Sequence, residues 1–203
     1  MPRLIGGLAV RGYTHRKRYT HDIDLAISKR DKANLVTILK RMGFDYQDET
    51  AFEGVKASKR VGDMTVEIHI SVEKLWDMRS GQEYVLSPKT AAVPVDERGE
   101  VVAPAPSVED LLILKLLPLR DRDIGDVIGL ILDNPDLDAT AFWQNCDRTG
   151  NTAYVRQRLD ELEQSLKTGG FRDAWQADYG EPLSISEIRM VLDRVRKLKR
   201  AKP

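Results

Sequence analysis

Asp22-Ile23-Asp24, set in an apolar run and downstream of Gly6-Gly7, constrains this chain more than any other feature. Successive side chains of a β-strand point to opposite faces, so Asp22 and Asp24 share one face while Ile23, Leu25 and Ile27 point into a core. Two carboxylates on one exposed strand face offer hard oxygen ligands to a divalent cation. An edge strand facing solvent is the alternative, and the diglycine upstream and a glutamate-bearing strand downstream weigh against it. That later strand, Met64 to Ile70, places Val66, Ile68 and Ile70 on one face and Glu67 with His69 on the other. Glu67 is therefore the candidate for a third carboxylate.

The pattern between these points predicts strand, helix, strand, helix. Leu4-Ile5 ends a strand at the Gly6-Gly7 turn, and Leu8, Ala9 and Val10 begin a helix whose free N–H groups favour phosphate. Asp31 caps a second helix through Leu35, Ile38, Leu39 and Met42, stopped by Gly43. Short strands follow at Phe44 to Tyr46 and Val55 to Lys59. Val93 to Val95 and Val101 to Ala103 form a hairpin, and Pro104-Ala105-Pro106 reads as a stiff linker, which divides the chain into residues 1–105 and a helical domain over 106–203. Ser107 with Glu109-Asp110 opens the first of the later helices, running through Leu111, Leu114 and Leu117. Val155, Leu159, Leu162 and Leu166 stripe one further helix, and Ile185, Ile188, Leu192 and Val195 another, capped by Ser184 and Glu187.

Composition narrows the partners. Lys plus Arg and Asp plus Glu both number 32 in 203 residues, so no global basic field points to nucleic acid. A local basic run, Arg194, Arg196, Lys197, Lys199, Arg200 and Lys202, either contacts phosphates or is a solvated helix end. The single Cys146 cannot form an intrachain disulfide, no apolar run is long enough for a membrane span, and the N-terminal apolar stretch is too short for a signal peptide, so the cytoplasm is the expected location. The histidines His15, His21 and His69 lack zinc-ligand spacing. Trp76, Trp143 and Trp175 are expected in packing rather than as stacking platforms. With no Gly-Lys-Ser or Gly-Lys-Thr after the diglycine, a P-loop is excluded.

The segment LIGGLAVRGYTHRKRYTHDIDLAI, Leu4 to Ile27, resembles the signature of the nucleotidyltransferase (DNA polymerase β-like) superfamily. Its wording is most similar to the abortive-infection nucleotidyltransferases of type IV toxin and antitoxin systems. The resemblance implies an α+β nucleotidyltransferase fold, a small mixed sheet with flanking helices, followed by a helical domain. It implies transfer of a nucleoside monophosphate from a nucleoside triphosphate, with two Mg2+ ions held by Asp22, Asp24 and Glu67. Gly6 and Gly7 would cradle phosphate, and Arg18 and Thr20 fall where the resembling families carry Arg-x-Thr or Arg-x-Ser. The segment EDLLILKLLPLRDRDIGD, Glu109 to Asp126, is also similar to those families. By that match Lys115 reaches the triphosphate, and Arg122, Asp123 and Asp126 build or buttress the pocket wall, whereas Lys115 snorkelling to solvent is the structural alternative. Pro118 departs from the family pattern and is expected to kink the helix.

The acceptor implied by the resemblance is an RNA end or a protein side chain, in a toxin and antitoxin or phage-defence setting. A small hydroxylated molecule such as an antibiotic is the alternative, as is a non-catalytic member that binds a partner. Resembling proteins carry a helix before the diglycine strand, so here the C-terminal helices, a second copy of the chain or an antitoxin partner is expected to cover that face.

Overall fold

The computed structural model describes residues 1–16, 19–49 and 54–201. Its main sheet has five strands: β1 (Arg3–Ile5), β2 (Asp22–Ile27), β3 (Asp45–Glu49), β4 (Gly54–Val61) and β5 (Met64–Val72), in the order β1-β2-β5-β4-β3. The β2–β5 pair is parallel and the other pairs are antiparallel, so the sheet is mixed. Two short hairpins follow: β6 (Leu75–Asp77) with β7 (Gln82–Tyr84), and β8 (Thr90–Pro94) with β9 (Val102–Pro106). The segment Pro104-Ala105-Pro106 thus belongs to a strand rather than a linker. Helix α1 (Gly6–Tyr13) follows β1 and α2 (Lys32–Arg41) follows β2. The later chain is helical: α3 (Val108–Leu116), α4 (Asp121–Asp133), α5 (Ala139–Arg148), α6 (Thr152–Thr168), α7 (Arg172–Tyr179) and α8 (Ile185–Arg200). The architecture is the α+β arrangement that the sequence predicts.

Alternation along β2 and β5 gives the sheet two differently covered faces. Ile27, Ile68, Ile70 and Val72 pack with Leu39 of α2 and Val55 and Ala57 of β4 in a small core. The opposite face, with Ala26, joins a larger core in which Leu4, Ile5, Ala9 and Val10 meet apolar residues of α3 to α8. The later helices therefore bury the β1 and α1 apolar side chains. Asp22 and Asp24 lie on that second face, in register with Ala26, at the end of the sheet where helix cover gives way to a cavity.

Several helices differ in detail from expectation. In α8 Val191, Val195 and Leu198 are buried and Ile188 and Leu192 pack partly against the core, while Ile185, in the first turn, is exposed. The Ser184 and Glu187 capping box is present. Asp110, read as part of a helix cap, is fully buried and accepts from Tyr84 Oη at 2.6 Å and Ser87 N at 3.1 Å, fastening the β6–β7 hairpin to α3. Of the described basic residues toward the end of α8, three are engaged within the fold, while Lys197 and Arg200 are exposed. Arg194 donates to the Ile131 and Leu132 carbonyls at 2.6 and 2.7 Å, and Arg196 and Lys199 contact Glu163 at 3.1 and 2.6 Å. Among the described residues, no helix is long and apolar enough to cross a membrane.

Candidate active site

Three strands bring the site together. In the sheet register Ile5 stands opposite Asp24 on one side, His69 opposite Asp24 on the other, and Glu67 opposite Asp22. Ligand atoms of Asp22, Asp24 and His69 all lie within 4.8 Å of one another. His69 Nδ1 is 3.6 Å from Asp24 Oδ1, and His69 Nε2 is 3.8 Å from Glu67 Oε2. Glu67 shares the expected face, but its Oε1 lies 3.2 Å from Lys56 Nζ, and the converging set takes His69 rather than Glu67 as its third member. The physical reason is the β4 register: Lys56 pairs across from His69 and draws the neighbouring carboxylate aside.

Helix α1 begins at Gly6 itself, two residues earlier than predicted. Gly6 has φ +66°, and a Cβ there would stand 1.9 Å from Asp24 Oδ2. Glycine is thus demanded both by the left-handed backbone and by the close approach of the carboxylate. The unsatisfied N–H groups of the helix start lie beside the acidic pair and favour anions. Gly7 follows within the same buried turn.

The two aspartates are electrostatically unequal. Burial works to raise the Asp22 pKa, but the Thr20 hydroxyl, donating to Asp22 Oδ1 at 2.9 Å, a backbone N–H and the charges of His69 and Arg122 together lower it. Asp24 is raised, chiefly by burial and then by the charge of Asp22, with His69, Lys115 and Arg122 opposing. Two carboxylates this close, one destabilised by the other, fit a divalent cation: bound charge would remove their repulsion, and both present oxygen to a shared point.

A cavity of about 500 Å3 opens in front of them. Its walls include Gly6, Gly7, Thr20, Asp22, Asp24 and His69 at the acidic end, then Lys115, Arg120, Arg122 and Asp123 from the α3–α4 region. Lys115 is buried, with Nζ 2.7 Å from Asp126 Oδ2 and 3.4 Å from Asp123 Oδ1, so it does not snorkel to solvent. Arg120, which sequence reading missed, grips Asp123 through Nε at 2.6 Å and through its backbone N–H at 3.1 Å. Asp123 therefore buttresses the wall. Arg122 is exposed at the cavity and makes no ion pair among the described residues.

Pro118 does not kink a helix. Helix α3 ends at Leu116 and α4 restarts at Asp121, so Pro118 occupies the connection, and Leu119 completes the reversal with φ +40°. This break turns Arg120 and Arg122 back toward the aspartates.

No family model and no curated protein matches the chain. Among solved structures it is similar to a lincosamide antibiotic adenylyltransferase, LnuA, with lincomycin bound, at 18% identity and TM-score 0.46 over 64% of this chain and 85% of that one. It is also similar to the antibiotic-resistance factor ANT(2'')-Ia, at 16% identity and TM-score 0.37 over 83% of this chain and 86% of that one. The functional reading rests on the site's own geometry.

The loop from α1 to β2 is tied to the later helices. His15 N donates to Asp133 Oδ2 at 2.7 Å, Arg16 NH2 lies 2.9 Å from Glu187 Oε1, and the Arg16 guanidinium sits 5.5 Å over the Trp175 ring. Arg18, the candidate phosphate ligand in this loop, lies outside the described residues. Trp143 and Trp175 are buried as expected, but Trp76 is 45% exposed and lines the cavity. Its hairpin has no apolar periodicity that could have revealed this.

Proposed function

We propose that this chain is a metal-dependent nucleotidyltransferase that joins a nucleoside monophosphate, taken from a nucleoside triphosphate, to a hydroxyl of a small acceptor. The observation that carries the reading is the convergence of Asp22, Asp24 and His69 against Gly6 at the head of α1. Magnesium, bound through the Asp22 and Asp24 oxygens, would supply charge neutralisation at the phosphates.

Asp22 and Asp24 would hold magnesium through oxygen, the ligand type it takes, which leaves His69 for proton transfer. The acceptor oxygen attacks the α-phosphorus, a new O–P bond forms, the bond to the β-phosphate oxygen breaks, and pyrophosphate leaves. The acceptor proton passes to His69 Nδ1, the ring nitrogen on the Asp24 side at 3.6 Å, while Nε2 faces Glu67 at 3.8 Å. Arg122, with no ion pair among the described residues, takes the phosphate charge, assisted by the α1 N-terminus. The Lys115 charge is shared with two buried aspartates, and its main effect is to hold the wall that aims Arg122.

A small acceptor is favoured over an RNA end because Arg194, Arg196 and Lys199 are engaged inside the fold and the chain is charge-balanced. A cavity of about 500 Å3 lies within the usual small-molecule range. The test is incubation with α-labelled nucleoside triphosphates, magnesium and a panel of hydroxylated small molecules. Labelled product and pyrophosphate are expected from the wild type and neither from Asp24→Asn. Equal transfer by the two proteins, or no magnesium-dependent nucleotide binding by the wild type, would refute the proposal.

A further inference from the structure

The cavity has a second wall of different chemistry. Five consecutive residues, Leu75 to Arg79, line it. The run covers the three residues of β6 and continues into the turn that follows it, at Met78 and Arg79. Among the described residues β6 has β7 as its one strand neighbour, which leaves its other edge without a ladder partner. Trp76 of β6, 45% exposed, and Met78 of the turn, 76% exposed, line the cavity together with Leu114, Leu117 and Pro118. The other two tryptophans are at most 1% exposed.

A tryptophan and a methionine left in water forgo apolar burial, so a wall built this way gains when something apolar lies against it. It also lies close to the acidic end, because Arg120 interacts electrostatically with both Asp24 and Asp77. The hairpin is held in shape: Ser80 N donates to Asp77 Oδ2 at 2.7 Å, and Lys74 Nζ pairs with Glu83 at 2.7 Å.

We propose that Trp76 is the stacking platform for the base of the nucleoside triphosphate, and that the open β6 edge reads the base's hydrogen-bonding groups. The inference rests on the nucleotidyl-transfer reading and adds the determinant of nucleotide choice. A nucleobase is the part of such a substrate that is planar and uncharged yet carries donors and acceptors around its rim. Its face suits an indole, and its rim suits unpaired peptide N–H and C=O groups. An aliphatic acceptor would use only the first of these.

The experiment titrates the full chain in magnesium with non-hydrolysable analogues of the four nucleoside triphosphates and, separately, with inorganic tripolyphosphate, following tryptophan emission and heat. Nucleotides are expected to change Trp76 emission, and tripolyphosphate to bind without doing so. Trp76→Phe should bind nucleotide within a few-fold of wild type, and Trp76→Ala about tenfold more weakly with tripolyphosphate affinity unchanged. Nucleotide binding that leaves the emission unmoved, or that Trp76→Ala leaves unweakened, overturns the platform while the nucleotidyl-transfer reading stands. An effect of Trp76→Ala on the KM of the acceptor alone would reassign the wall to the acceptor and also overturn it. Failure of both tripolyphosphate and nucleotides to bind would overturn the reading and the platform together.

Discussion

Gly6→Ala is expected to disable the site through 1.9 Å of geometry. A methyl at that position would stand 1.9 Å from Asp24 Oδ2, and real Cβ atoms essentially never come within 3.0 Å of another heavy atom, so the carboxylate must retreat by about 1.1 Å. A misplacement of about 1 Å at a reacting centre costs on the order of 100-fold in rate. Separately, alanine at φ +66° carries left-handed strain of about 1–2 kcal/mol, which lowers the Tm of a chain of this size by about 2–8 °C. Gly62→Ala isolates the strain: it has φ +61°, nothing lies within 4 Å, and it sits in the β4–β5 turn. Thermal unfolding and labelled nucleotide transfer are measured for both variants. Similar losses of Tm are expected, with loss of transfer confined to Gly6→Ala. Wild-type transfer by Gly6→Ala, or equal loss of transfer by the two variants, would refute the claim that Gly6 exists to admit the Asp24 carboxylate.

Lys115→Met should destabilise by about 3–5 kcal/mol, because it removes the cation buried beside the carboxylates of Asp126 and Asp123, and Asp126→Asn in the same chain should restore part of the loss. A thermal midpoint that does not move would mean the ammonium is solvated after all. The Glu163 carboxyl is held down to about 2, against an ordinary 4.5, by hydrogen bonds from Lys167, Lys199 and Arg196. Its folded-state pKa is depressed, so its stabilisation is present above pH 4.5 and is lost as the pH falls toward 2. Solvent screening reduces that contribution to about 1–2 kcal/mol. The stability gap between wild type and Glu163→Gln in denaturant unfolding should therefore shrink from pH 6 toward about pH 2.5, and a pH-independent gap would contradict the assignment.

What the sequence made legible was local. Asp22 and Asp24 share a face because alternation within six residues puts them there, and Gly43 ends α2 with the positive φ that its position predicts. The choice between Glu67 and His69 was not legible, since alternation places both on the same face and only the distant Lys56 separates them. Gly6 was visible as a motif, but its reason lies with a carboxylate eighteen positions downstream. Pro118 read as a kink because an apolar run hides the end of one helix and the start of the next. Arg120 escaped notice and Trp76 was expected in packing, because an inter-helix connection and a three-residue strand carry no repeat that reveals where tertiary packing puts them.

Leu4 and Ile5, at the start of the chain, share a core with Val191, Val195 and Leu198, and the Trp143 indole N–H donates to the Leu198 carbonyl at 2.7 Å. During synthesis, β1 and α1 leave the ribosome long before the residues that will bury them. The paired aspartates therefore wait beside an unfinished apolar surface until α8 emerges to complete the core behind them. A chain that stops short of α8 would leave the apolar surface behind β1 and α1 partly uncovered.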